Sequence, residues 1–300
     1  MTNMTNSLQA FLDNPSFYQQ LTITFNNIGD EEARLLVEAL KINNSLTSIN
    51  LSNNKIGLEG ARLLAEALTI NNSLISINLS NNEIGSEGAR LLAEALTINN
   101  SLTSINLSNN EIRSEGVGFL AEALAINNSL TSINLNSNEI KAEGAGLLAK
   151  ALKENSYLTY LNLFNNQIGD EGARLLAEAL KINNSLTIVD LYLNNIGVKG
   201  SCLLAEIRSY ITDIDSIDNP NIEHLPYKEI NKLIIDSGFN ITTIYLDDGR
   251  IVYPRCKPAK SARSAEVELN VQGNIDVFLN PLSINESLEK EITSVGEHSE

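Results

Sequence analysis

Apolar residues return along this chain in one fixed pattern, LxxLxLxxNxI, at a spacing of 28 residues. One copy reads Leu46, Ile49, Leu51, Asn54, Ile56 and the next Leu74, Ile77, Leu79, Asn82, Ile84. The series continues without a slip of register as Leu102 to Ile112, Leu130 to Ile140, Leu158 to Ile168 and Leu186 to Ile196. A weaker first copy is Tyr18, Leu21, Ile23, Asn26 and Ile28. From the fourth position apolar and polar residues alternate, as in Ile49, Asn50, Leu51, Ser52, which is the period of a short strand with one buried face. A Gly-containing turn and a helical stretch follow. In 61–68, Ala61, Leu64, Ala65 and Leu68 share one face at helical spacing, and the small Ala residues let that helix lie close.

Each unit therefore predicts one strand and one helix. Strands pair at about 4.7–4.9 Å and helices pack at about 8–10 Å, so stacking the units bends the array into a horseshoe with strands on its concave side. Two successive units, 61–88 and 89–116, differ at only two positions, Ile75 against Thr103 and Gly85 against Arg113, which marks direct internal duplication. The Asn column (Asn26, Asn54, Asn82, Asn110, Asn138, Asn166, Asn194) is expected to place its amides inside the turn, where they satisfy buried loop backbone. Glu59, Glu87, Glu115, Glu143 and Glu171 stand at the helix starts, where negative charge suits the helix dipole, and Ser86, Ser114 and Asp170 are expected as N-caps.

The 28-residue spacing and LxxLxLxxNxI followed by a long helix resemble the ribonuclease-inhibitor-like class of leucine-rich repeats, which also includes the ligand-sensing ends of NOD-like receptors and the Ran GTPase-activating protein. The resemblance covers about residues 17 to 207 and, more weakly, continues to about 251. It implies an α/β solenoid, parallel strands inside and helices outside, and recognition of a protein through the concave face or adjoining loops. It does not imply one activity, because a shared fold hosts many functions. Ribonuclease inhibitor often has Cys where the motif has Asn, whereas every regular copy here keeps Asn, so its ligand is not carried over.

On this pattern the chain divides into a cap (1–16), seven regular repeats (17–207), degenerate capping repeats (208–254) and a tail (255–300). In the degenerate part Ile214 and Ile217 hold strand positions, 228–236 is helix-like, and Ile241, Ile244, Leu246, Gly249 and Ile251 repeat the motif with Gly in place of Asn. Terminal repeats are expected to be atypical because they close an open core. In the tail, 265–271 and 275–279 alternate around Gln272, Gly273 and Asn274 as in a hairpin.

A formal charge of −16 argues against nucleic acid and anionic membranes as partners. The first residues lack a basic segment followed by an apolar core, and Cys202 and Cys256 are too few to staple a secreted scaffold, so a cytoplasmic location is expected, in a microbe or in its host. Asn-Asn-Ser recurs at 43–45, 71–73, 99–101, 127–129 and 183–185, between helix and strand, and reads as turn chemistry rather than as glycan acceptors.

The exposed strand positions of the middle copies are small and uncharged: Ser48, Asn50, Ser52, Asn53 and their equivalents through Ser132, Asn134, Asn136, Ser137. Toward the C-terminal end they become Tyr160, Asn162, Phe164, Asn165 and then Ile188, Asp190, Tyr192, Leu193. Tyr160, Asn162, Phe164, Ile188, Asp190, Tyr192 and Leu193 form the candidate partner-binding set, either as an interaction patch or as a surface that the following segment covers.

No P-loop, Rossmann glycine pattern, metal-ligand spacing or nucleophile elbow is present, and His occurs only at 224 and 298, so no cofactor, metal or catalytic residue is expected. The resemblance keeps two alternatives in view. One is GTPase activation of the Ran-activator type, without that family's dense acidic tail. The other is a ubiquitin ligase using Cys256, similar to some bacterial leucine-rich-repeat effectors, although Cys256 lies between Arg255 and Lys257 with no accompanying acid-base set. The expectation is a monomeric, non-enzymatic module that binds a protein.

Overall fold

The computed structural model describes residues 6–24, 27–205, 213–215, 239–240 and 257–258. Asn26, the side chain of Cys202, both histidines, Cys256, the weakened motif at 241–251 and the hairpin at 265–279 lie outside the described residues.

The chain opens with α1 (Asn6–Asp13), a 3-10 turn (Pro15–Phe17) and β1 (Gln20–Thr22). Helix and strand then alternate: α2 (Asp30–Ile42), β2 (Ser48–Asn50), α3 (Leu58–Ile70), β3 (Ser76–Asn78), α4 (Gly85–Leu96), β4 (Ser104–Asn106), α5 (Arg113–Ile126) and β5 (Ser132–Asn134). They continue with α6 (Lys141–Glu154), β6 (Tyr160–Asn162), α7 (Gly169–Leu180), β7 (Ile188–Asp190), α8 (Val198–Ala205) and β8 (Asp213–Asp215). The strands β1 to β8 form one parallel sheet in chain order, and Ser76 pairs with Ser48 and Ser104 at the 28-residue offset. At the C-terminal end Ile214 lies opposite Val189, so β8 continues the sheet at a shorter offset. Phe239–Asn240 and Lys257–Pro258 pair antiparallel, apart from it.

The core is a wall between sheet and helices. Leu102, Ile105, Leu107 and Ile112 from one strand and turn are fully buried against Leu120 and Leu124 of the helix that follows, and the same set recurs in each repeat. Ala61, Leu64, Ala65 and Leu68 form the buried face predicted for α3. Close approach of successive helices from α3 to α8 rests on a glycine in the first turn. A Cβ on Gly116 would come within 2.6 Å of Ile112 Cγ2 and 2.9 Å of the Ser86 backbone in the preceding repeat.

Two asparagine ladders join the repeats. In the motif column, buried Asn138 donates from Nδ2 to the carbonyls of Leu107 (2.9 Å), Leu135 (3.0 Å) and Asn136 (3.1 Å). Its Oδ1 accepts from the backbone N–H of Asn110 (3.0 Å) and Ile112 (3.2 Å). One side chain thereby satisfies backbone groups of two repeats. The second ladder is the first Asn of each Asn-Asn-Ser. Buried Asn99 donates to the carbonyls of Leu68 (2.8 Å) and Asn71 (3.1 Å) and accepts from the N–H of Ser101 and Leu102.

The expected N-caps need correction. Helix α4 begins at Gly85 and α5 at Arg113, with no side-chain cap, so Ser86 and Ser114 lie inside the first turn. Their hydroxyls donate forward to the carbonyls of Ile112 (2.7 Å) and Ile140 (2.6 Å). Asp170 likewise acts across repeats, accepting from the N–H of Gly197 (2.7 Å) and Gly200 (2.9 Å) at the start of the next helix. Starting the helices one residue earlier puts Gly85, Arg113, Lys141 and Gly169 in the left-handed region, at φ of 57 to 65°. Gly adopts it freely and Arg and Lys do not.

Substituting Asn138→Ala leaves two buried amide groups without acceptors and is expected to cost about 3 kcal/mol in thermal or urea unfolding. Arg113→Gly is expected to stabilise by about 1 kcal/mol in the same assay, because the exposed ion pairs it gives up, at 3.8 Å to Glu111 and Glu139, are worth little.

Candidate functional site

The predicted set comes together on β6, β7 and the turns that leave them. Register pairs Tyr160 with Ile188 and Asn162 with Asp190. Phe164 and Tyr192 stack with ring centroids 5.3 Å apart and planes 13° from parallel. Parallel strands about 4.8 Å apart hold equivalent side chains at close to the stacking distance, so the same position on successive repeats yields a face-to-face pair. Ile188 and Leu193 are the most open members, at 38% and 36%. Leu193 projects from a left-handed residue (φ 53°), in a column otherwise filled by Asn53, Asn81, Asn109, Ser137 and Asn165. Asn tolerates that conformation and Leu is strained in it.

Two members also have a task that the sequence reading missed. Asn162 Oδ1 accepts from the Phe164 N–H (2.9 Å), and Asp190 Oδ1 accepts from the Tyr192 N–H (3.1 Å). Asn50, Asn78, Asn106 and Asn134 do the same two residues on, at 2.9 to 3.0 Å, so the column ends each strand with an Asx turn. The signal was present: an Asn or Asp recurring at the last position of each strand is a turn-forming residue. Asn162 Nδ2 also donates to the Tyr160 hydroxyl (3.2 Å). A further correction concerns Ser52, Ser80 and Ser108, grouped with the exposed positions but buried, because the chain turns immediately into the left-handed residue that follows. Phe164 and Tyr192 occupy this same column, where their size leaves them half-buried.

The convex side is charged. Arg62, Arg90 and Arg174 each bridge to the Glu three residues before and the Glu four residues after. The guanidinium hydrogen bonds hold the carboxyl groups of Glu59, Glu87 and Glu171 below their ordinary range. What these pairs add to stability is therefore present at neutral pH and lost as pH falls through the lowered values, and salt screens it because both partners face solvent. Among the described residues no cluster of three or more metal-ligating side chains is found, and no helix is long and apolar enough to cross a membrane.

A family model described as "Leucine Rich repeat" matches five times, at 43–65, 71–93, 99–121, 127–149 and 154–177. The chain therefore carries leucine-rich repeats. Its strand-and-helix repeat of 28 residues is of the ribonuclease-inhibitor-like kind, and such repeats typically serve as scaffolds for binding other proteins. Among solved structures, the leucine-rich-repeat-containing protein LegL7 of Legionella pneumophila is similar at 25% identity and a TM-score of 0.52, covering 78% of this chain and 76% of that one. The Leiomodin-1 actin-binding site 2 (21% identity, TM-score 0.44) covers 51% of this chain and 91% of its own. The tropomodulin C-terminal domain of Caenorhabditis elegans (19%, TM-score 0.42) covers 51% and 93%. A search of curated proteins returns no match.

Asp190→Asn keeps the accepting oxygen and is expected to leave stability within about 0.5 kcal/mol, whereas Asp190→Ala removes the turn's acceptor and is expected to cost about 1 kcal/mol. Equal losses in urea unfolding would show that the negative charge, not the Asx turn, is what this position supplies.

Proposed function

We propose that this leucine-rich-repeat protein is a non-enzymatic module that binds a protein partner on the C-terminal part of its concave face. The observation that carries the reading is the change of composition along that face. Four strands present Ser and Asn, and the next two present Tyr160, Phe164, Ile188, Tyr192 and Leu193 on adjoining rungs. Ser and Asn are weak anchors, while aromatic side chains supply large contact area at low entropic cost. Asn162 and Asp190 keep a polar edge beside the aromatic stack, which gives a partner both an apolar anchor and hydrogen-bond acceptors. The formal charge of −16 favours a protein over nucleic acid. We place the interaction in the cytoplasm of a microbe or its host.

The test compares the intact chain with a Tyr160→Ser, Phe164→Ser, Tyr192→Ser variant in affinity capture followed by quantitative binding to whatever is recovered. The expected result is binding weakened by at least about 30-fold, roughly 2 kcal/mol, in a variant whose circular dichroism is unchanged. Equal binding by both proteins would move the site away from this face.

A further inference from the structure

The exposed large apolar side chains are not scattered. Of the eleven among the described residues, seven lie on one flat side of the solenoid, where each helix hands over to the next strand. Ile42, Ile70, Ile98, Ile126 and Ile182 stand at the helix ends in the 28-residue column, with Phe17 before them and Tyr157 between the last two. They are 49 to 85% exposed. The second Asn ladder makes this side continuous: Asn71, Asn99, Asn127, Asn155 and Asn183 each donate to the carbonyl 28 residues back, at 2.9 to 3.2 Å. Asn43 donates to the Pro15 carbonyl, which sets Phe17 at the start of the row. The opposite flat side, where strands turn into helices, exposes Lys55, Glu83, Glu111, Glu139 and Gln167.

The fold does not require the isoleucines. In the repeat where Glu154 takes their place, Asn155 makes the same bonds, to the carbonyls of Leu124 and Asn127 and from the N–H of Tyr157 and Leu158. A β-branched residue exposed at a helix end adds nothing to helix formation. The middle of the row is also uncharged: segments 69–75, 97–103 and 125–131 hold no charged residue, in a chain of net charge −16.

We propose that this side is where a second copy of the chain docks, in a two-fold, antiparallel arrangement centred on Ile98. Two acidic chains can meet without repulsion only across an uncharged surface, and this row supplies one. A two-fold contact must be complementary to itself, and centring it on Ile98 satisfies that requirement repeat by repeat. Ile70 meets Ile126 of the other copy, and the row's first member, Phe17, meets Ile182. The repeat that lacks isoleucine falls opposite Ile42, where Tyr157 supplies the apolar contact. Seven half-exposed or more exposed side chains, with the Asn and Thr between them, offer several hundred square ångströms, the scale of one partner's share of a standard interface, about 800 Å². The expectation of a monomer drawn from the sequence changes accordingly.

Sedimentation equilibrium on the full chain across about 1 to 100 μM is the test. The expected mass is twice the 32.7 kDa of one chain. Ile98→Asp, which sets two carboxylates at the axis, is expected to weaken association at least about 100-fold with unchanged circular dichroism. The Tyr160→Ser, Phe164→Ser, Tyr192→Ser variant should associate normally, which separates this surface from the concave one. A chain that stays monomeric throughout the range overturns the proposal, as does a dimer indifferent to Ile98→Asp.

Discussion

Everything in this molecule depends on satisfying the backbone of short loops packed against one another. Strands of three residues leave most of each repeat outside the sheet, and a buried N–H or carbonyl without a partner costs about as much as several good contacts return. The asparagine side chain resolves this because it carries donors and an acceptor on one short arm. Set at both ends of the strands β2 to β7, it connects each repeat to its neighbours through backbone groups, so side chains elsewhere are free to vary. That freedom lets Ser and Asn give way to Tyr, Phe and Ile on the concave face while the register of the strands stays fixed.

Much of this was legible in the sequence, and the reason is periodicity. A column of apolar residues that never slips fixes strand, helix and register together, and the buried roles of Leu107, Ile112 and Asn138 follow from it directly. The N-caps were misread because capping rules treat a helix by itself. Here the neighbouring repeat supplies the acceptor or donor, as Asp170 does for Gly197 and Gly200, and only the stack reveals it. In the sequence, the exchange of Gly85 for Arg113 is one of two differences between duplicated units. Its meaning lies in a backbone angle that the residue type alone does not show.

The candidate face was legible in part. Reading down the columns found the aromatic residues and placed them on adjoining rungs, and the structure adds the stack of Phe164 on Tyr192 and the turns made by Asn162 and Asp190. The apolar flat side escaped notice because an isoleucine at one helix end is an ordinary surface residue. It becomes a surface only when the same position is followed across repeats whose contact is already known. The two faces are distinct in kind: one varies along the chain, and the other recurs with the period.

The hydrogen bonds between repeats reach 26 to 31 residues along the chain, and strand and helix contacts join neighbours. For a solenoid of this length that is short, since no bond has to wait for distant segments to meet. Folding of such an array follows nearest-neighbour rules: once two adjoining units are in place, each further unit adds onto a finished edge. The near-identical units of 61–116 form the most uniform edge, and assembly proceeding outward from there would reach the aromatic rungs late. The surface that distinguishes one end of this molecule from the other is then also among the last parts to take shape.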